Sequence, residues 1–506
     1  MLKQKQTKNR FKHSILVGLT ALSLIILPFA AGASVYAESF AYPMKKYNVV
    51  SEFGEDRGGI YHLGEDVLGP AGTPIYSIGS GYVKHIDEHT RFGTVILIEH
   101  TLKNKSKIVS LYGHLRLSDV KVKIGQFVNK GQKIGYLGNP EENGGWVEHL
   151  HFGIRKGAYV NTWVYWGLTV SQEEFLNWHV PTKFIKGYKA VDSITYNDSL
   201  IITGAGQGGS AHVRVFDKLG NDIDNADFFA FSESFRGGAD VAIGNLDKDN
   251  SPEVVVGAGP GMEPYVKIFD LNSKTLQKSI LAYDKSFRGG VRVAVGDING
   301  NGIDEIITGA GPGGGPHVRV FDHQGKVIHS KLFPWDENLR TGVDVATGDI
   351  NGDGKAEIIV GAGPGGDPQV KVYDGKGNLQ KLVIDAYPIA FRGGVRVTAG
   401  DVDNDGKDEI ITGAGPGGGP HVRVFDADGK VKPIYYFPFH EDYRGGVDVA
   451  SFDYNNDGNA EIIMSQASQG QTWIKVYSYN KKKTIISEFL GYAPMFQGGA
   501  NVAAIK

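Results

Sequence analysis

The sequence predicts an all-β protein of two unlike parts: a compact β domain near the N-terminus and a C-terminal β-propeller of six blades. Three observations carry that prediction. Seventy-one of the 506 residues are glycine and few long helical patterns occur, which marks a turn-rich β protein. Over residues 47–154, short apolar runs such as GTPIYSIGSGYVKHI, GTVILIEH and GQKIGYLG alternate with glycine turns. From about residue 190 the sequence repeats itself with a period of 52 residues, the size of a four-stranded propeller blade.

Residues 1–37 read as a secretory signal. Lys3, Lys5, Lys8, Arg10 and Lys12 precede an apolar run over 15–31, and VYA ends at Ala37, after which cleavage is expected. The alternative is an uncleaved membrane anchor, since the run approaches the lower limit of a span. Either way the rest of the chain faces outward. Removing five basic and no acidic residues from a formal charge of −3 leaves −8, which gives no footprint for nucleic acid. There is no cysteine, so an exported chain of this length holds its fold by core burial and metals rather than disulfides, and thiol nucleophiles are excluded. No strict glycine triplet occurs, which excludes collagen.

Within the first domain, HLGED (residues 62–66) sets a histidine and a carboxylate four positions apart. A hydrolytic zinc site needs about three protein ligands and an open position. In an extended segment His62, Gly64 and Asp66 share a face, with glycine keeping the space between them empty. In EHLHFGI, His149 and His151 share a face while Leu150 points into a core, and YGHL adds His114 beside Tyr112. Each piece alone is weak, because a strand histidine is ordinarily solvated and an HxH pair needs no metal; together they are specific.

These residues resemble the lysostaphin-like zinc endopeptidases of family M23, whose signature joins H-x-G-x-D to a later lone histidine and a closing H-L-H. The resemblance covers residues 49–154, including SEFGEDR before the first histidine. It implies that His62, Asp66 and His151 hold Zn2+, and that His114 and His149 are the catalytic residues lining the cleft. Which of the two is the base stays open. It also implies peptidoglycan peptide as substrate, cut in the cross-bridges of bacterial walls. An inactive copy is the alternative, although inactive copies usually lose some of these five polar residues. His85, His89, His100 and His179 lie outside the motif and read as ordinary surface or core histidines.

The peptidase domain is placed at 38–160, and residues 161–189 form its edge and a linker. There, in SQEEFLNW, Ser171 caps a short helix with Glu174 three positions on, and Pro181 follows its end.

The propeller spans 190–506. The pairs Phe235-Arg236, Phe287-Arg288, Leu339-Arg340, Phe391-Arg392 and Tyr443-Arg444 recur, with Phe496-Gln497 as a sixth. Gly-Ala-Gly begins at Gly204, Gly257, Gly309, Gly361 and Gly413, with a degenerate SQA at Ser465. One unit gives strands at 343–347, 357–361, 369–373 and 379–386. The first unit lacks its leading strand and the chain ends on that strand alone, so the last strand is expected to complete the first blade and leave no open edge. Seven blades follow instead if KAVDSITY, residues 189–196, hides a worn repeat.

Between the first two strands of each full unit lies an acidic loop with oxygen side chains at positions 1, 3, 5 and 9. The sets are Asn245, Asp247, Asp249, Glu253; Asp297, Asn299, Asn301, Glu305; Asp349, Asn351, Asp353, Glu357; Asp401, Asp403, Asp405, Glu409; and Asp453, Asn455, Asp457, Glu461. Four of the five loops have glycine at position 6. That spacing suits Ca2+, with the loop at Asp401 the best case and the loop at Asp297 the poorest. The alternative is a side-chain-capped turn that needs no metal. These loops and the GAGPGGGPHVRVFD runs resemble FG-GAP repeats of integrin-type propellers, which implies a binding platform for a cell-surface polymer or protein. An adhesin whose working part is the propeller is therefore the alternative function. His212, His317 and His421 recur in the third-strand motif and read as repeat positions rather than ligands.

Overall fold

The computed structural model describes residues 37, 39–103, 105–161, 165, 167–187, 199–223, 226–249 and 251–505. The predicted signal segment, Ala37 apart, and KAVDSITY lie outside them. Among the described residues no helix is long and apolar enough to cross a membrane.

The N-terminal domain is built on one sheet, ordered Val49–Ser51, Glu65–Leu68, His149–Lys156, Lys107–Leu115, Gly93–Thr101, Gly81–His89 and Phe127–Val128. Its central strand His149–Lys156 shares one edge between two partners. Glu65–Leu68 pairs with its first half and Trp178–His179 with its second, Ile154 opposite His179. Leu150, Phe152 and Ile154 pack into a core with Val67, Ile96, Ile98 and Tyr112. The other face of the sheet carries Leu63, Leu97, Val109 and Leu111 beneath Tyr165, Phe175 and Trp178. The short helix forms where expected, Gln172–Leu176, with the Ser171 side chain accepting the Glu174 N–H. A second helix, Pro181–Gly187, starts on the proline, whose fixed φ suits a first helical position.

The propeller has six sheets. The C-terminal strand Ala500–Ile505 is the innermost strand of the first blade and pairs with Leu200–Ala205. The unit dissected above forms Val343–Gly348, Glu357–Ala362, Gln369–Tyr373 and Leu379–Asp385. The fifth blade departs from the pattern and has three strands. Its outer segment contains Pro433, which has no N–H for a ladder, and only single bridges, Phe425 to Val431 and Val422 to Tyr436, remain. Blades lie too close for side chains where their loops meet: a Cβ on Gly259 would stand 1.9 Å from the Gly237 carbonyl oxygen.

The second residue of each innermost strand forms a ring around the propeller axis: Asp240, Arg292, Asp344, Arg396, Asp448 and Asn501. Charges alternate. Arg292 bonds Asp240 at 2.8 Å and lies 3.8 Å from Asp344; Arg396 bonds Asp344 at 3.0 Å and lies 3.7 Å from Asp448. Each aspartate also accepts the next blade's amide, from Val293, Val397 and Val502. Asn501 breaks the alternation, so three carboxylates face two guanidiniums. Burial raises the Asp448 carboxyl to about 7 against the pull of Arg396, and Asp240 is raised as well.

The N-terminal domain rests on blades six and one. Lys183 Nζ donates to the Glu488 carbonyl at 2.8 Å, Lys156 pairs with Asp222 at 2.9 Å, and Ala493 is buried among Leu63, Phe175 and Trp178.

The excess carboxylate predicts a pH signature. A native carboxyl that holds its proton up to about 7 binds it more tightly than the unfolded chain does, with a pKa near 3.9. Its ionisation therefore weakens the fold as pH rises between those values. Asp448→Asn should melt higher than the wild type at pH 8, and the advantage should fade as the pH approaches about 4; melting curves across pH measure it.

Candidate metal centre and catalytic cleft

The antiparallel register sets Asp66 directly opposite His151. His62 arrives from the separate strand Tyr61–His62, which pairs with Leu168–Thr169. The extended segment expected over 62–66 is therefore two strands with a bend at Gly64. Glycine is required there for space: a Cβ would lie 2.7 Å from the Phe152 carbonyl oxygen and 2.8 Å from the His151 ring.

Three donor atoms converge. His62 Nε2 lies 3.0 Å from His151 Nδ1, His151 Nδ1 lies 3.0 Å from Asp66 Oδ1, and His62 Nε2 lies 3.2 Å from Asp66 Oδ1. All three residues are buried. Ligands about 2.0–2.1 Å from a tetrahedral zinc are roughly 3.3 Å apart, so this triangle fits that ion. His62 Nδ1 bonds the Glu52 carbonyl at 2.9 Å, which places its proton there and leaves Nε2 as a lone pair facing inward. Burial opposes ionisation of Asp66, but the His151 and His62 rings against it overcome that and hold the carboxyl well below the usual range. Burial lowers the His151 imidazole to about 4.

His114 and His149 complete the cluster, their rings 4.3 Å apart. His149 Nε2 is 3.6 Å from Asp66 Oδ1. His114 has φ +64, a left-handed conformation that costs a side-chain-bearing residue roughly 1–2 kcal/mol. It is held there by its N–H to the Phe92 carbonyl, by ring stacking on Phe92, and by Nδ1 on the Asn143 carbonyl at 2.7 Å. Burial first, and the neighbouring His149 second, lower its imidazole to about 3.

Three residues without a role in the sequence reading support the site. Arg57 bonds the second oxygen of Asp66 at 2.8 Å, leaving Oδ1 to the converging trio. Asn143 is fully buried and clamps the loop before His149 through two bonds to the Trp146 backbone. Trp146 itself is 53 % exposed, yet its indole N–H is fixed on the Arg91 carbonyl. The SEFGEDR and NGGW stretches were the available signals, but nothing local says where they fold to.

The acidic loops sort into classes. The position-1 aspartates 297, 349, 401 and 453 accept their own loop's amides, as Asp297 does from Gly300, Asn301 and Gly302. Asn299, Asn351 and Asn455 donate to Glu305, Glu357 and Glu461. The position-5 side chains, Asp249, Asn301, Asp353, Asp405 and Asp457, cap amides two residues on. Among the described residues only two loops bring three carboxylates within reach of one ion: Asp247, Asp249 and Glu253, and Asp401, Asp403 and Glu409. In the second, expected to be the best calcium loop, Lys432 reaches in from the outer segment of the fifth blade and pairs with Asp403 and Glu409. Asn245 instead caps the Lys248 amide. His212, His317 and His421 stack on Phe229, Phe333 and Phe437, as repeat positions should.

Comparison with known proteins agrees with both halves. Residues 60–162 match peptidase family M23, residues 289–328 an FG-GAP repeat and residues 349–412 an FG-GAP-like repeat. Peptidoglycan DD-endopeptidase ShyB of Vibrio cholerae is 37 % identical over 93 residues, 18 % of this chain and 20 % of that protein. Integrin alpha-V of Gallus gallus is 30 % identical over 174 residues, 31 % of this chain and 17 % of the integrin. A solved zinc-containing peptidase from Vibrio cholerae is 32 % identical with TM-score 0.21, covering 24 % of this chain and 37 % of that one. The alignment thus spans about a fifth of the curated peptidase. The chain carries a peptidase family M23 domain followed by a six-bladed propeller of FG-GAP repeats.

Proposed function

We propose that this protein is an exported zinc endopeptidase that hydrolyses peptide bonds in peptidoglycan cross-bridges, with a propeller that binds a surface polymer or protein. The observation that carries this reading is the convergence of His62 Nε2, Asp66 Oδ1 and His151 Nδ1 beside His114 and His149. The substrate class follows from the likeness to a peptidoglycan endopeptidase.

Zinc held by His62, Asp66 and His151 would supply Lewis acidity toward the scissile carbonyl and toward water. The chain's own part is proton handling. His149 Nδ1 is held by the Val147 carbonyl at 2.7 Å and His114 Nδ1 by the Asn143 carbonyl. A carbonyl only accepts, so both rings carry the proton on Nδ1 and turn a bare Nε2 to the cleft. Either can take a proton from attacking water and return it to the departing amine. Arg57 keeps Asp66 to one free oxygen. The strained φ of His114 favours catalysis over the adhesin reading, since strain of this kind persists where surrounding structure enforces it for a task. The propeller would hold the peptidase near its polymer and raise the local substrate concentration.

His114→Ala should keep zinc and lose cleavage by about 10²- to 10⁴-fold, measured by mass spectrometry of digested peptidoglycan beside metal analysis. His151→Ala should lose the metal as well. Arg57→Gln should leave the ligands in place but weaken zinc binding by about 10- to 100-fold, read by competition with a chromogenic chelator.

A further inference from the structure

The first propeller blade and the end of the peptidase sheet away from His151 enclose a cavity of 590 Å³, within the usual range for small-ligand sites. One wall is the ring of Phe229, 42 % exposed and backed by His212 at 4.5 Å in a near-parallel stack. Blades three and five repeat this stack, but in blade one it faces the peptidase domain across Lys107 and Lys156.

Apart from Glu233 and Arg236, which bring one charge of each sign, the charged groups around the cavity are ion-paired. Lys107 pairs with Glu99 at 2.9 Å, Lys156 with Asp222 at 2.9 Å and Asp227 with Arg214 at 3.2 Å, while Arg236 donates to its own turn carbonyls. A charged ligand would meet both signs and no net counter-charge. A neutral ligand with one flat apolar face and a rim of hydroxyls or amides would find an aromatic wall and a polar edge.

We infer that this cavity binds a neutral amino-sugar chain, the glycan strand to which the cleaved peptide is attached. This deepens the peptidoglycan reading and rests on it. Lys156 stands five residues beyond His151 on the same strand, about 17 Å along it. A separation of that size would set the metal centre at a bond in the cross-bridge rather than at the first peptide bond on the sugar.

The test is calorimetric titration of the purified protein with a β-1,4-linked N-acetylglucosamine tetrasaccharide, alongside cleavage of a short sugar-free cross-bridge peptide. Phe229→Leu keeps an apolar side chain but removes the flat ring, and should weaken sugar binding about two- to tenfold. Phe229→Tyr should retain binding, and both should cleave the free peptide like the wild type. No binding by the wild type in the millimolar range, equal affinity in Phe229→Leu, or preference for a polyphosphate of similar length would overturn the inference. Sugar binding that follows the ring without peptide cleavage in any protein would sustain the sugar site and sink the endopeptidase reading.

Discussion

The pairing of Asp66 with His151 across two antiparallel strands is the constraint on which the candidate site depends. A slip of one residue would turn Asp66 toward the core occupied by Leu150 and Phe152, because side chains alternate faces along a strand. Burial of Val67, Leu150 and Phe152 on one face therefore fixes what stands on the other. The hydrophobic pattern and the ligand set are two readings of one register. Gly64 completes the arrangement by leaving room for the His151 ring.

The rest of the cleft is organised by a single loop, residues 139–148. Its carbonyls at Asn143 and Val147 orient both candidate catalytic histidines, and Asn143 holds its shape from within. The propeller solves a comparable problem by repetition. One position per blade carries the alternating charges that link neighbours around the axis, and the C-terminal strand closes the circle. The odd carboxylate left by Asn501 at the seam is the consequence of closing a two-letter pattern with a residue that belongs to neither.

The strands and the closure were legible because each is a periodic signal, alternation at two residues and repetition at 52; the five polar residues of the candidate site stood out only as a joint motif, since His62 and Asp66 fall in two strands. The supporting residues were not legible, since Arg57 reaches Asp66 and Asn143 reaches His114 only through tertiary folding. The pairing of Lys432 with Asp403 and Glu409 was hidden for the same reason, since that lysine lies beyond the loop it enters. Two features were readable and overlooked. Pro433 marks the missing outer strand of the fifth blade, and the column Asp240, Arg292, Asp344, Arg396, Asp448 spells its alternation at the repeat spacing.

The measurement that tests the account most directly is a crystal structure of the zinc-loaded protein with anomalous data at the zinc edge. The account predicts one strong site bound by His62 Nε2, Asp66 Oδ1 and His151 Nδ1, with Arg57 still on Asp66 Oδ2 and His114 and His149 unligated. Zinc bound through His114 or His149 in place of one of the three, or no zinc in this cleft at saturating metal, would contradict it.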